Sequence, residues 1–480
     1  MSIIGAAFFP HPPIVLPEVG RGQESGAAAT TAGMAELADL VAGLKPEVIA
    51  LMTPHGPAFS DVIAATDEDG LSGNMEQFGA PQVALAKSVD RALLKLFAQE
   101  AEEADVPLAV LDGAALRRLG LKPTLDHGAL VPLRFVEKAY QDYEILHIAP
   151  GGPSLRKQFA AGQALRRAAE KSDRRVLVLA SGDMSHRLLK TGPYGFDEAG
   201  PKFDGQVVEA IRRGEPGRIL AIDPSLARKA GECGWRPFAF ALGALDGSAL
   251  KSRLISYEGP FGVGYMTALL TPSGEEAPSR LDRLSRAEES RAAAARRGED
   301  GYVRLARETI ERYVREGRSP RWGELKETVG EFEALRMERR KAGSFVSLHL
   351  DGELRGCMGT ILPTAQHVGE EIIRNAVTAC SEDPRFPAVG ADELPNLEVK
   401  VDVLSPFEPI KSPRELDPKR YGVIVEKAGC RGLLLPKLPG VDTVTQQLDI
   451  ACRKAGFRWD EEDKSIKLFR FTVERHGEED

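Results

Sequence analysis

Short apolar runs alternate with stretches of helical spacing through the first 272 residues of the chain. The runs IIGAAFF (3–9), VIALMT (48–53), LAVLDG (108–113), YEILHIA (143–149) and RVLVLASG (175–182) are almost continuously apolar, which predicts largely buried strands. Between them, 25–43 and 155–171 are alanine-rich, and 84–104 repeats apolar residues at three- and four-residue intervals, so each predicts a helix. Strands of this kind separated by helices define a layered α/β domain. In such sheets, ligands bind beyond the strand ends, where the connecting loops gather.

The pattern then changes. Residues 273–299 are polar and charged and read as a linker, partly helical, and a smaller α+β domain fills 300–480. There, YVRLARETIERYV sets Tyr302, Leu305, Ile310, Tyr313 and Val314 at helical spacing. In SFVSLHLDGELRGCMGT, Asp351-Gly352 between two strand-like runs predicts a hairpin, and VIVEKAGCRGLLLP predicts another, with Gly429 and Gly432 flanking its loop or bulge. Helices are expected at 365–379 and 443–455, and strands at 397–404 and 467–475. No internal repeat relates the two halves.

Composition narrows the class. A chain of 480 residues exceeds one core, and 42% hydrophobic with 28% charged residues is ordinary for globular protein. The net charge of −8 and pI near 5.7 argue against nucleic acid or anionic lipid as a general partner. No apolar run approaches the ~20 residues of a membrane span, and the start MSIIGAAFFPHPP reads as a strand and loop rather than a signal peptide. Five cysteines without a CxxC pair point to a reducing cytoplasm. The sequence is compatible with an oligomer.

Candidate chemistry lies in the histidines. Five of the eight fall in the first 186 residues, and His11, His55, His127 and His186 occupy turn-like settings after apolar strands, crowded by Pro, Gly or Asp. Imidazole is both a common metal ligand and a general base near neutral pH, and rigid loops suit a preorganised site. His147, inside the apolar run YEILHIAPGG, reads as packing.

The stretches FFPHPPIVLPEVG, TPHGP, DHGALVPL and SGDMSHRL resemble those in the catalytic chains of class III extradiol ring-cleaving dioxygenases, and of the related Memo proteins, over roughly 1–272. The resemblance implies iron(II) held by two histidines and a carboxylate, with positions left open for oxygen and a catechol-like or other chelating small molecule. It assigns the ligand histidines to His11 and His55, and proton transfer to His127 and His186. Asp126 and Asp183 lie close in sequence to those imidazoles and are candidates to orient them. For the third ligand, AGECGWRPFAFALGALDG offers Glu232, which is favoured, and Cys233, which matches the Memo pattern. A glutamate keeps an iron site, whereas a thiolate favours copper or zinc. Glu258 is an outside candidate.

LRGCMGTILP resembles the AMMECR family, with agreement over about 300–476 that includes ACSEDPRFPAV and TVTQQLDIACRKAG. Here Arg355 offers a planar fork for carboxylate or phosphate, Gly356 and Gly359 permit close backbone approach, and Cys357 is a nucleophile or core residue. Thr360, Asp383 and Arg385 complete the candidate surface, with Phe386 beside it. His349, His367 and His476 are too far apart in sequence to suggest a metal site. Together the two halves resemble the fused component of the AmmeMemoRadiSam system, which implies a separate radical SAM partner because this chain has no CxxxCxxC motif. The resulting expectation is metal-dependent oxidoreductase chemistry, with a non-catalytic metal-binding and interaction role as the alternative.

Overall fold

The computed structural model describes residues 2–477 except 351, 352, 392 and 439. The chain divides into two units, Met1–Ala287 and Glu288–Asp480, within the helix Leu281–Gly298.

The first unit contains β1 (Ile3–Phe9), β2 (Val48–Met52), β3 (Ile63–Asp67), β4 (Gly70–Met75), β5 (Ala80–Ser88), β6 (Leu108–Asp112), β7 (Glu144–Ala149), β8 (Val176–Ser181), β9 (Ser248–Glu258) and β10 (Tyr265–Glu276). Eight of these form one sheet in the order β6-β3-β7-β2-β8-β1-β10-β9. The centre is parallel, with β7, β2, β8 and β1 running together, whereas β3 pairs antiparallel with β7 and β10 antiparallel with β1. Every residue of β2 and β8 is buried, as their continuous apolar character requires. The helices Leu155–Ser172 and Trp235–Ala244 pack against each other, and Phe8 of β1 stacks on Phe238 with centroids 4.6 Å apart. Burying one such side chain stabilises by about 1.5–3 kcal/mol. Because β1, β2 and β8 are parallel, the loops that follow them emerge at the same end of the sheet.

Three expectations change here. The helix expected over 84–104 starts at Arg91, and its first part is the end of β5. Asp90 marks the switch by accepting the Leu93 N–H at 2.9 Å, an N-cap contact. His127 does not follow a strand: it opens the helix His127–Ala139, with Asp126 as N-cap. Residues 273–276 continue β10, and most of the remaining charged segment is the helix Leu281–Gly298.

The second unit contains β11 (Ser344–Leu350), β12 (Glu353–Gly359), β13 (Leu397–Leu404), β14 (Glu408–Ile410), β15 (Gly422–Lys427), β16 (Cys430–Leu434), β17 (Lys467–Phe471) and β18 (Val473–His476). They form two sheets, β12-β11-β13-β18 and β14-β17-β15-β16. The helices Gly301–Glu316 and Val368–Ser381 share a core with the first sheet through Tyr302, Ile310, Val346, Ile372 and Val401. The helix Val444–Lys454 packs on β15 and β16 through Leu448 and Cys452. β11 and β12 pair antiparallel as expected, although Asp351-Gly352 lies outside the described residues. The second hairpin turns at Ala428 and Gly429, both with positive φ, while Gly432 lies inside β16. The single strand expected over 467–475 breaks at Thr472, so that β17 joins one sheet and β18 the other.

Candidate metal centre

His11 follows β1, His55 follows β2, and Cys233 immediately precedes the turn into the helix Trp235–Ala244. Their side chains converge. His11 Nε2 lies 3.1 Å from His55 Nε2 and 3.6 Å from Cys233 Sγ, and all three ligand atoms fall within 4.8 Å of one another. Nitrogens bound to one ion at about 2.0–2.1 Å, at angles between 90 and 109°, lie about 2.9–3.4 Å apart, and a sulfur at about 2.3 Å lies about 3.1–3.6 Å from each. The pairs involving His11 Nε2 match these spacings, so this donor set fits a metal ion.

The surrounding bonds set the lone pairs. The Ser181 hydroxyl donates to Gly128 O at 2.6 Å and lies 2.9 Å from His11 Nδ1. Its single proton is committed to the carbonyl, so His11 Nδ1–H must be the donor to Ser181, which leaves the Nε2 lone pair facing His55 and Cys233. Asp183 accepts the His11 backbone N–H at 2.9 Å, and its own N–H donates to Cys233 Sγ at 3.2 Å.

Burial, then the neighbouring His55, lowers the His11 pKa to about 3, and burial with His55 and His11 lowers that of His127 to about 4. Burial also lowers His186. These imidazoles are therefore neutral at pH 7, the state that binds metal and accepts protons. Burial raises Asp183 to about 6 and pushes the Cys233 thiol well above its usual range.

Glu232, the carboxylate favoured from the sequence, stands apart from this cluster. Its Oε2 accepts the Trp235 N–H at 2.6 Å, tying it to the start of the helix Trp235–Ala244. Burial raises it to about 7 against that hydrogen bond. Its position three residues before the first N–H of an apolar helix is a cap-like signal available in the sequence. Glu258 is also committed elsewhere, accepting the N–H and hydroxyl of Thr30, both at 2.6 Å.

His127 lies over His55 with centroids 4.1 Å apart, and Phe78 meets its edge at 5.3 Å. His186 stands beside Tyr194 at 5.1 Å, and its buried Nε2 has no hydrogen-bond partner among the described residues. An open cleft of about 1230 Å³ is lined by His55, His127, the β4–β5 ribbon and Lys122. Sequence reading missed this ribbon, as well as Ser181. It also placed Asp126 beside His127, whereas the Asp126 carboxylate pairs with His147 Nε2 at 3.0 Å. His147 is a buried strand residue, as expected, but it is hydrogen-bonded at both ring nitrogens, Nδ1 to Thr66 Oγ1 at 3.2 Å.

In the second unit, the fold itself uses most of the candidate motif. Arg355 pairs with Glu393 at 2.7 and 2.9 Å and donates to Pro387 O and Ala388 O. Its fork thus ties down a loop and is not free for an anion. A Cβ on Gly356 would sit 2.3 Å from Ala379 O, and one on Gly359 would sit 2.4 Å from the Phe345 ring, so both are close-packing positions. Thr360 donates to the fully buried Glu371, which also holds the N–H groups of Thr364 and Ala365. Asp383 accepts the Cys357 N–H at 2.9 Å and pairs with Arg385. Cys357 itself is half-buried, and its Sγ accepts the Ser347 hydroxyl at 3.2 Å. The nearby Phe386 has the Arg385 guanidinium over its ring, 5.4 Å from the centroid.

The fold and this geometry define a two-domain protein: an α/β unit with a histidine-rich centre at its strand ends, followed by an α+β unit. Residues 5–268 match the family described as the catalytic LigB subunit of aromatic ring-opening dioxygenase, and 303–476 match the AMMECR1 family. The chain belongs to the LigB family and carries an AMMECR1 domain at its C-terminal end. A protein of Clostridium acetobutylicum is 40% identical over 479 residues, covering 100% of both chains. One of Thermotoga maritima is 51% identical over 181 residues, covering 37% of this chain and 98% of that one. The crystal structure of an uncharacterized Pyrococcus horikoshii protein has 34% identity and a TM-score of 0.33, covering 37% of this chain and 89% of that one. An uncharacterized Escherichia coli K12 protein has 14% identity and a TM-score of 0.37, covering 55% of this chain and 99% of that one. No helix among the described residues is long and apolar enough to cross a membrane.

Proposed function

We propose that the first unit is a metal-dependent oxidoreductase module acting on a catechol-like or other chelating small molecule, with His11, His55 and Cys233 holding the ion. The convergence of two imidazole nitrogens and one thiol within 4.8 Å carries this reading. A bound copper ion would supply Lewis-acid and redox chemistry toward a chelating ligand, and zinc Lewis-acid chemistry alone.

The chain's own residues have distinct tasks. Ser181 fixes the His11 tautomer, and the Asp183 N–H stabilises a thiolate on Cys233. His127, neutral and next to the cleft, takes a proton from an incoming hydroxyl and later returns it; His186, whose buried Nε2 has no partner among the described residues, accepts a second. A thiolate in place of a carboxylate makes the set softer, so copper or zinc is favoured over the iron(II) of a two-histidine, one-carboxylate site. That same substitution supports a second reading, in which the unit binds metal without turnover and the chain serves a separate radical SAM protein.

Anaerobic purification with metal analysis, followed by oxygen uptake over a panel of catechols, tests the proposal. Bound metal with uptake lost in His186→Ala, while the metal stays, supports turnover. Stoichiometric copper or zinc without uptake supports the second reading, and no metal in the native protein defeats both.

A further inference from the structure

The first turn of the helix His127–Ala139 touches both histidines of the metal cluster, although neither is on that helix. Gly128 O receives the Ser181 hydroxyl, which in turn accepts His11 Nδ1–H. On the other side, Asp126 Oδ1 accepts the Thr53 hydroxyl at 2.7 Å, and Thr53 Oγ1 accepts the His55 backbone N–H at 3.3 Å. The helix also grips the His55 ring, with the His127 ring on one face. A Cβ on Gly128 would lie 3.1 Å from His55 Cδ2 and 2.5 Å from Thr53 Oγ1, so the turn sits as close as backbone allows. What holds the turn is Asp126, which caps it through the Ala129 N–H at 3.1 Å.

Asp126 has its second oxygen on His147 Nε2, and His147 Nδ1 is braced by Thr66. Burial opposes ionisation of Asp126, yet hydrogen bonding and charge from His147, then Thr53, hold its carboxyl well below the usual range. The carboxylate thus accepts from a strand, a loop and a helix at once. Removing one donor would leave a buried charge underpaired, which costs more than the lost bond itself.

We propose that Asp126 and His147 form a positioning pair that fixes the ring orientation of both His11 and His55 through the first turn of the helix His127–Ala139. His147 touches neither ligand and is not a catalytic residue; it acts through Asp126. The consequence for metal affinity rests on the reading of His11 and His55 as ligands, but the positioning itself does not.

The test uses the full chain in two arms, with His147→Leu, His147→Gln and Asp126→Asn. Glutamine places an N–H where Nε2–H stood, and asparagine replaces the carboxylate oxygen that faces His147 with an N–H donor, breaking the pair from the Asp126 side. In the first arm, metal-free protein carrying isotope-labelled histidine nitrogens is studied by NMR. Wild type and His147→Gln should show His11 as a single Nδ1-protonated tautomer, and His147→Leu and Asp126→Asn should show averaging between tautomers. In the second arm, zinc is titrated against a competing chelator. His147→Leu and Asp126→Asn should bind about 10–100-fold more weakly than wild type, with His147→Gln recovering most of the loss, a range typical of groups behind the ligands. If zinc does not bind wild type but the tautomer pattern holds, the metal reading fails and the positioning stands. An unchanged His11 tautomer in His147→Leu and Asp126→Asn overturns the proposal. Should His147→Leu not fold, Asp126→Asn and His147→Gln decide the matter alone.

Discussion

Each unit of this chain carries a conspicuous motif, and the two motifs meet opposite fates in the structure. In the second unit, Arg355, Gly356, Thr360 and Asp383 are all taken up by the fold, as loop clamp, close contact or partner of a buried group. In the first unit, the Nε2 atoms of His11 and His55 converge with Cys233 Sγ and have no backbone partner among the described residues, and His186 keeps a buried nitrogen without a partner among them. The contrast teaches that a distinctive string marks a constraint, and the constraint is functional where hydrogen-bonding capacity is left over. Protein interiors satisfy nearly all buried polar groups, so unconsumed donors and acceptors at one point are informative.

Removing a ligand should have the largest effect. His11→Ala or His55→Ala should abolish stoichiometric metal binding, measured by elemental analysis after dialysis, whereas Arg355→Ala should leave the metal content intact. If Arg355→Ala also lost the metal, the separation of roles between the motifs would collapse.

A pH series sharpens the same contrast. Burial raises the Cys233 thiol, so metal binding must displace its proton, and affinity should rise about tenfold per pH unit between about pH 6 and 8. Glu232, raised to about 7, would instead give a dependence that flattens above neutrality. His11, already neutral, adds little in this window.

Smaller effects belong to the second unit. Gly356→Ala forces a methyl against Ala379 O and should destabilise that unit by about 1–3 kcal/mol, read from its unfolding transition in the full chain. Cys357→Ser, at a half-buried position with one hydroxyl contact, should change stability by no more than about 0.5 kcal/mol. A large loss there would show that Cys357 is core rather than surface.

The sequence made β1, β2, β7 and β8 legible because strands buried on both faces write continuous apolar runs. It hid β4 and β5, whose outward residues Ser72, Asn74, Ala84 and Ala86 are small or polar, and the helical spacing that begins near Ala84 crosses the break at Asp90. His11 and His55 were legible as candidates because a strand and a turn flank each. Glu232 and Cys233 could not be ranked, since adjacent residues differ only in which way the backbone aims them. His147 looked like packing because its partner Asp126 is distant in sequence.

The claim that Cys233, rather than Glu232, completes the centre is tested most directly with cobalt(II) substituted into the metal-free chain. Thiolate bound to cobalt gives a sulfur-to-metal charge-transfer band in the near ultraviolet. The account predicts that band in the wild type and in Glu232→Gln, and its loss in Cys233→Ser. A band that survives in Cys233→Ser, or disappears in Glu232→Gln, would contradict it.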